Sequence, residues 1–274
     1  MIENRSVPLF GLSLSLLSLE EVASFLIEGN SESPRAVMTL SLPMVGPLEK
    51  NASYRSAMER AEIVLPDGIG VVVASRILHG SGVPKSRVSG PDLFLTLCAQ
   101  AHLRHLSFYF LGSTPEVLER IRTRLAREYP GAVWAGAYSP PFGEWDEEEE
   151  RRILERIASS GADLLWVGMT APKQEIWVHA HRDELKLRGI AAVGAAFDFF
   201  AETRPRAPLW MQRAGLEWLY RTLQEPRRMG KRYFLSLGPF LKAFLREVYR
   251  KRRERYNKKS GNGSKTGEKG HGDS

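Results

Sequence analysis

Cysteine is almost absent from this sequence. The single one, Cys98, excludes an intrachain disulfide and is typical of a protein kept in a reducing compartment. Because Cys98 lies in the apolar helical run LFLTLCAQA, we interpret it as a small buried side chain.

Long apolar runs and targeting signals are also missing. No stretch reaches the ~20 apolar residues that a membrane-spanning helix requires. The first residues carry Glu3 and Arg5 and are interrupted by Pro8 and Gly11, unlike a secretory signal peptide, in which a basic segment precedes an apolar one. We therefore expect the protein to be made and kept in the cytoplasm.

Two common chemical motifs do not occur. His179 and His181, two residues apart on a predicted helix, point in different directions, and no other His or Cys has the spacing of a zinc site. No Walker A sequence is found, and the turn at Gly68 and Gly70 lacks the third glycine of the dinucleotide fingerprint. We expect a site without a cofactor and without a metal ion.

Charge is distributed unevenly along the chain. Residues 204–259 hold 17 Lys and Arg against 4 Asp and Glu, a net charge of +13, whereas residues 1–203 have a net charge of −6. Such asymmetry indicates an anionic partner, which is a nucleic acid, a membrane surface or a phosphorylated substrate. Residues 260–274 are rich in Gly, Lys and Ser and are predicted to be a disordered tail.

From residue 35 to residue 193, apolar strand-like runs alternate with helix-like segments of about 10–15 residues. This alternation predicts βαβ units and a parallel sheet, which is an α/β fold with a Rossmann-like core over residues 1–203. Residues 14–29 are predicted to form a first helix with Ser18 as its N-cap, and residues 46–61 a single polar helix.

The stretch EIVLPDGIGVVVA, residues 62–74, contains the most informative turn. Pro-Asp-Gly ends a predicted strand at Leu65 and places the carboxylate of Asp67 at the edge of the sheet, where open α/β sheets bind ligands. Two roles are open for Asp67. It is either a turn former or helix N-cap, or a general base that activates an acceptor hydroxyl.

Polar groups follow other predicted strands as well. Thr39 and Ser41 end one strand, Gly112 opens a Gly-Ser-Thr turn after another, and residues 170–175 follow a third. Parallel strands would bring these groups to one edge, where turns that lead into helices can bind phosphate through backbone N–H groups.

Several charged residues near these turns have two interpretations. Arg87 is either a solvated loop residue or an anion ligand, and Asp198 either forms buried hydrogen bonds or contacts an acceptor. Lys173 and Glu175 are interpreted as an ion pair at a helix start, which leaves Gln174 as the better ligand candidate.

The basic segment also contains an apolar stripe at helical spacing. The stripe consists of Phe240, Leu241, Phe244, Leu245, Val248 and Tyr249. The stripe either packs on the body or docks on an anionic membrane surface, and the density of Lys and Arg around it favours the membrane.

Several motifs, taken in order, resemble those of the WecG/TagA/CpsF family of bacterial glycosyltransferases. The matching stretches are LPDGIGVV (65–72), RVSGPDL (87–93), YFLGSTPEV (109–117), SPPFG (139–143), LLWVGMTAPKQEIWVHAH (164–181) and VGAAFDFFAETRPRAPLWMQRAGLEWLYRTLQEPRRMGKRY (193–233). They cover most of residues 37–233. PKQE and GLEWLYRTLQEPRR, correctly ordered after LPDG, are together very specific.

The resemblance implies an inverting, metal-independent glycosyltransferase in cell-surface polysaccharide biosynthesis. It implies a UDP-sugar donor of the N-acetylmannosamine type, or a related hexosamine or uronic acid, and a polyprenyl-diphosphate-linked saccharide as acceptor. It also implies a peripheral location on the inner face of the cell membrane, where residues 204–259 would dock on the anionic surface. No nucleic acid is expected, and a homo-oligomer is compatible with the family.

Carried over position by position, the resemblance makes Asp67 the catalytic base. Together with the strand-end analysis it predicts a set of substrate-binding residues. They are Thr39, Ser41, Gly68, Arg87, Gly112, Gln174, Arg221, Arg227, Arg228 and Arg232. The sequence departs from the family where Thr-x-Asn is usual, since Ser41 replaces the Asn, and where Ser113 and Ala195 replace the second Gly of two pairs. These changes affect the donor sugar more than the reaction class.

Two other classes of function compete with this interpretation. A nucleic-acid-binding protein would use the basic segment, which mixes aromatic residues with arginine, but the helical spacing of its apolar residues argues against this. A non-catalytic scaffold would keep the fold alone, and the intact Asp67 argues against that.

Overall fold

The computed structural model describes residues 4–80, 83 and 87–263. Eight strands form one sheet. They are β1 (Ser6–Leu9), β2 (Leu12–Ser15), β3 (Arg35–Leu40), β4 (Ile63–Pro66), β5 (Ser107–Leu111), β6 (Val133–Tyr138), β7 (Leu164–Val167) and β8 (Gly189–Ala192). The strand order is β1-β2-β4-β3-β8-β7-β5-β6, and every pair except the β1-β2 hairpin is parallel.

Helices cover both faces of the sheet. They are α1 (Leu19–Ile27), α2 (Leu42–Lys50), α3 (Ala52–Arg60), α4 (Ile69–His79), α5 (Gly90–Arg104), α6 (Pro115–Glu128), α7 (Glu147–Ser160), α8 (Lys173–His181), α9 (Ala196–Phe200), α10 (Leu209–Arg213), α11 (Glu217–Gln224) and α12 (Lys231–Gly263). A 3₁₀ turn at Arg182–Glu184 and a π-helical turn at Pro226–Gly230 complete the described elements. The predicted α/β fold with a helical C-terminal segment is confirmed.

The sheet separates two apolar cores. Along β5, Phe108 and Phe110 face the core under α1, α5, α6 and α9, whereas Tyr109 and Leu111 face the core under α2, α3, α7, α8 and α12. Alternation of this kind follows from the period of two in a strand. Because both faces are buried, strands such as β7 are apolar throughout, which is typical of parallel sheets.

The N-terminal region differs from the prediction. The first helix begins at Leu19, after the Ser18 N-cap, because the Ser18 hydroxyl accepts from the N–H of Glu21 and the Glu21 carboxylate accepts from the N–H of Ser18. Residues 12–15, which the sequence analysis assigned in part to that helix, form β2. Phe10 and Gly11 adopt positive φ and reverse the chain between β1 and β2.

The single polar helix predicted over residues 46–61 is also wrong. Two helices occupy this region, and they meet at Asn51, whose side chain caps α3 by accepting from the N–H of Tyr54 at 2.9 Å. Asparagine at an N-cap competes with helix continuation because its side chain hydrogen-bonds the backbone locally.

The C-terminal segment is packed on the body. A Cβ at Gly46 of α2 would lie 3.1 Å from Pro239 of α12, and the rings of Phe10 and Phe240 are 5.6 Å apart. Of the tail predicted as disordered, residues 260–263 are the last residues of α12, and residues 264–274 lie outside the described residues.

Candidate active site

A cleft of about 670 Å³ opens where the loops leave the carboxyl ends of the parallel strands. It lies at the edge where open α/β sheets bind ligands. Ten of the predicted site residues line it, namely Thr39, Ser41, Asp67, Gly68, Arg87, Gly112, Gln174, Arg221, Arg228 and Arg232. Arg227 does not line the cleft and is exposed on the π-helical turn.

Asp67 follows β4 directly and is partly exposed to the cleft. Its N–H donates to the carbonyl of Leu40 at 2.9 Å, so the turn continues the register of β3 and β4. Gly68 adopts φ +98°, which a side chain would strain, and this lets the chain turn sharply into α4. The Pro-Asp-Gly turn therefore holds one carboxylate at the floor of the cleft.

The charge of Asp67 is balanced by its surroundings. Burial raises the pKa of its carboxyl from 3.8 to about 6; the cations Arg87 and Arg221 oppose this rise, and the anions Glu217 and Asp92 add to it. At neutral pH the carboxyl is mostly ionised and yet more basic than an ordinary aspartate. Such a group suits general-base chemistry.

Arg87 does not stand free at the cleft wall. Its guanidinium donates to the carboxylate of Glu217, the first residue of α11, and both side chains are largely buried. The second oxygen of that carboxylate lies 3.5 Å from Nε of Arg206. A carboxylate of the C-terminal segment therefore occupies part of the hydrogen-bonding capacity of Arg87.

Gln174 is almost fully buried at the start of α8 and is held from both ends. Its Oε1 accepts from the N–H of Gly194 at 3.1 Å, and its Nε2 donates to Oε1 of Glu175 at 2.8 Å. One N–H of the Gln174 amide remains for a ligand in the cleft.

The ion pair predicted between Lys173 and Glu175 is wrong. Lys173 donates to the carbonyl of Gly143 and stands 3.4 Å from the ring centroid of Trp145, whereas Glu175 is buried beside Gln174. Burial raises the pKa of Glu175 to about 7, against the effect of the Gln174 hydrogen bond. Residues two apart on a helix do not face each other, which explains the separation.

The turn at Gly112 is required by packing. Its φ is +101°, and a Cβ there would lie 3.0 Å from the carbonyl oxygen of Gly168 in the neighbouring loop. Thr114 caps α6 by accepting from the N–H of Val117. The glycine allows the loops after β5 and β7 to approach each other at the cleft.

The C-terminal segment contributes four arginines to the cleft, namely Arg204, Arg221, Arg228 and Arg232. Arg228 pairs with Glu225, while Arg221 lies over the ring of Phe199 at 5.3 Å. Within the part of the chain that the structure describes, neither Arg221 nor Arg232 forms an ion pair with a carboxylate. Burial lowers the pKa of Arg232, and the neighbouring charges of Arg221 and Arg228 lower it further against an opposing effect of Tyr233. An anion in the cleft would relieve this repulsion.

Asp198 lines the cleft and also forms bonds within the protein. One oxygen lies 3.7 Å from Nε of Arg204, and the other accepts from the hydroxyl of Thr203 at 3.4 Å. Hydrogen bonding within the protein and contact with an acceptor, the two roles that the sequence left open for Asp198, are therefore compatible with each other.

Three charged residues beside the site were missed by the sequence analysis, namely Asp92, Arg206 and Glu217. All three occur within the motifs that carry the family resemblance, but an acidic residue in the first turn of a helix is ordinary. Only their contact in space distinguishes them.

Across residues 4–80, 83 and 87–263, no three His, Cys, Asp or Glu side chains come together as metal ligands.

The chain is similar to known proteins over most of its length. The model of the Glycosyl transferase WecG/TagA/CpsF family matches residues 7–254. A protein from Bacillus spizizenii is 33% identical over 198 residues, which are 72% of this chain and 73% of the relative. A relative from Bacillus subtilis is 29% identical over 203 residues, which are 74% of this chain and 76% of the relative. A relative from Staphylococcus aureus is 28% identical over 223 residues, which are 81% of this chain and 84% of the relative. Each of the three is an N-acetylglucosaminyldiphosphoundecaprenol N-acetyl-beta-D-mannosaminyltransferase.

The raised pKa of Asp67 predicts a pH-dependent stability. The pKa of Asp67 is about 6 in the folded state and 3.8 in its ordinary state. Ionisation of Asp67 therefore lowers the free energy of unfolding as the pH rises from 3.8 to about 6. We expect Asp67→Asn to be more stable than the parent by about 1–3 kcal/mol at neutral pH, and this gain to vanish near about pH 4. Thermal and urea unfolding at several pH values measure the difference.

Asp183→Asn is the matched control, since the side chain of Asp183 is 84% exposed. It should show no pH-dependent gain. A stability gain of Asp67→Asn that is equal at both ends of this pH range would contradict the assignment.

Proposed function

The chain belongs to the WecG/TagA/CpsF family of glycosyltransferases, and from this membership we propose its reaction. The protein transfers a sugar of the N-acetylmannosamine type from a UDP-sugar to a polyprenyl-diphosphate-linked N-acetylglucosamine, with inversion and without a metal ion. The names of its relatives support this pair of substrates.

One observation carries the proposal. A basic carboxylate, Asp67, shares a cleft with Arg221 and Arg232, two arginines that form no ion pair with a described carboxylate. A glycosyl transfer from a nucleotide sugar needs these two functions, which are a base for the acceptor hydroxyl and cations for the leaving diphosphate.

In the proposed step, a carboxylate oxygen of Asp67 takes the proton of the acceptor hydroxyl. The hydroxyl oxygen forms a bond to the anomeric carbon as the bond from that carbon to the diphosphate oxygen breaks. UDP leaves with the electron pair, and the single displacement inverts the anomeric configuration. The pKa of Asp67, about 6, is low enough for ionisation at neutral pH and high enough for proton transfer.

The arginines would replace a metal ion in binding the diphosphate. Guanidinium groups bind phosphate oxygens in a bidentate manner and stay charged even when partly buried. Arg232 is held among other cations, so a diphosphate would meet a preorganised positive site rather than one that must first assemble. Thr39, Ser41 and the free N–H of Gln174 supply neutral polar contacts for the sugar and nucleoside.

We further propose that α12 docks on the membrane that carries the acceptor. The predicted stripe is divided by the structure, because Phe240, Phe244 and Val248 pack on the body. A second face remains exposed to solvent at helical spacing. It consists of Phe234, Leu237, Leu241, Leu245 and Tyr249, which are 46–81% exposed.

This face supports an interfacial helix. Apolar side chains of this size would be buried among lipid headgroups, and basic side chains would bind anionic lipids. Arg246 and Arg250 also pair with Glu49 and Glu247, so part of the positive charge is already neutralised. No helix in the described part of the chain is long and apolar enough to span a bilayer. An exposed apolar face favours a membrane over a nucleic acid.

The base assignment is tested by Asp67→Asn, which keeps the shape of the side chain and removes its basicity. Turnover should fall by ~100-fold or more, the usual effect of losing a general base, with little change in UDP affinity. Release of UDP is measured with UDP-N-acetylmannosamine and a short-chain diphosphate acceptor, with and without EDTA. Near-normal turnover in this variant, with Asp183→Asn equal to the parent, would refute the role of Asp67.

The diphosphate site is tested by Arg221→Gln and Arg232→Gln. Each removes one cation from the cleft, and hydrogen bonds to charged groups contribute about 1.5–3 kcal/mol, so UDP should bind roughly ten-fold more weakly or worse. Calorimetry measures the affinity. Arg227→Gln is the control from the same segment, because its side chain lies outside the cleft. Equal affinities in all three variants would place the diphosphate elsewhere.

Membrane docking is tested with the double variant Leu241→Gln, Leu245→Gln. Burial of one leucine contributes about 1.5–3 kcal/mol, so co-sedimentation with phosphatidylglycerol vesicles should fall at least ten-fold. Leu103→Gln, which changes an exposed leucine on α5 on the opposite side of the sheet, should bind as the parent does. If vesicle binding stays unchanged while light scattering shows an oligomer becoming a monomer, the face is an interface between copies.

A further inference from the structure

Four charged side chains form a network beside Asp67. Arg87 pairs with Glu217, Nε of Arg206 lies 3.5 Å from the same carboxylate, and Nη2 of Arg206 lies 2.6 Å from Asp92. The side chain of Glu217 is only 9% exposed. The network joins the loop before α5, the start of α5, the loop before α10 and the start of α11.

Stability alone is a weak reason for this arrangement. Buried ion pairs lose much of their attraction to the cost of removing both charges from water, and apolar residues of similar size often serve as well. Because Glu217 meets two arginines at once, it fixes the relative position of the segments that carry them. A geometric role therefore accounts for the network better than a purely energetic one.

Glu217 stands where the C-terminal segment meets the catalytic turn. Two residues earlier, Gly215 adopts φ +73°, and a Cβ there would lie 2.9 Å from Ile69, which opens the helix after Asp67. Arg221 follows Glu217 by four residues on α11, so the two share one face of the helix. Seating Glu217 therefore sets the position of Arg221.

The electrostatic surroundings of Asp67 follow from the same arrangement. The charges of Arg87, Glu217 and Arg221 each act on the carboxyl of Asp67. Burial raises the pKa of Tyr233, near the start of α12; Arg221 lowers it, whereas Asp67 and Glu217 raise it further. The start of α11 is thus part of the surroundings of the base.

We propose that Glu217 is a positioning residue for the transfer reaction. It holds Arg87 in the cleft wall and seats α11 so that Arg221 faces the cleft beside Asp67. The kinetic part of this inference rests on the proposed transferase activity, whereas the seating of α11 does not.

The test uses Glu217→Gln, which keeps the shape and removes the charge, and Glu217→Asp, which keeps the charge on a shorter side chain. Hydrogen exchange of residues 209–224 should become faster in the first variant and less so in the second. Turnover with a short-chain acceptor should fall about ten-fold or more in Glu217→Gln and recover in part in Glu217→Asp. A loss of this size is typical of removing one partner from a pair of contacting groups.

A double-mutant cycle separates positioning from general damage. If Glu217 acts through Arg87, Glu217→Gln should cost much less turnover in an Arg87→Gln background than in the parent. Glu247→Gln is the matched control, since Glu247 is a buried carboxylate of the same C-terminal segment that pairs with Arg250 away from the cleft. It should leave turnover and the exchange of residues 209–224 unchanged.

Two outcomes would overturn the proposal. One is parental exchange of residues 209–224 in Glu217→Gln, and the other is a loss of turnover that stays the same in the Arg87→Gln background. If the parent itself transfers no sugar from any UDP-sugar, the proposed function fails, and hydrogen exchange then decides the seating of α11 by itself.

Discussion

The charge of Asp67 is the constraint on which the rest of the cleft depends. Burial alone would raise its pKa until the carboxyl became neutral, and full pairing with arginine would remove its basicity. The structure lies between these limits, because Arg87 and Arg221 oppose the rise while Glu217 and Asp92 support it. The surrounding ion pairs are thus arranged to keep one carboxylate charged and basic.

The same constraint explains why the C-terminal segment belongs to the site. The core contributes Asp67, neutral polar groups and Lys173, which donates to the carbonyl of Gly143, whereas Arg221 and Arg232 come from α11 and α12. Helix α12 packs on α2 and on the N-terminal hairpin through one face and exposes a second apolar face. One helix can therefore hold the arginines over the cleft and also present a surface to a membrane.

Local sequence chemistry predicted the elements well where a single signal dominated. Ser18 was predicted as an N-cap and caps α1, although the predicted helix began at residue 14, and the Pro-Asp-Gly turn ended β4 next to Asp67. The prediction failed where two signals competed. The capping side chain of Asn51 divides a continuous helical pattern, and β2 begins inside an apolar run that also suits a helix.

The sequence by itself determined the α/β class, the family and ten of the residues that line the cleft, because strand periodicity and turn chemistry act over a few neighbouring positions. Only the tertiary structure decided which charges meet. Lys173 and Glu175 were separated although they are two residues apart, while Arg87 and Glu217 were paired across 130 positions. Ion pairs over such distances depend on how helices seat on the sheet, and burial at that seat determines whether a carboxyl such as Asp67 is an ordinary acid or a base.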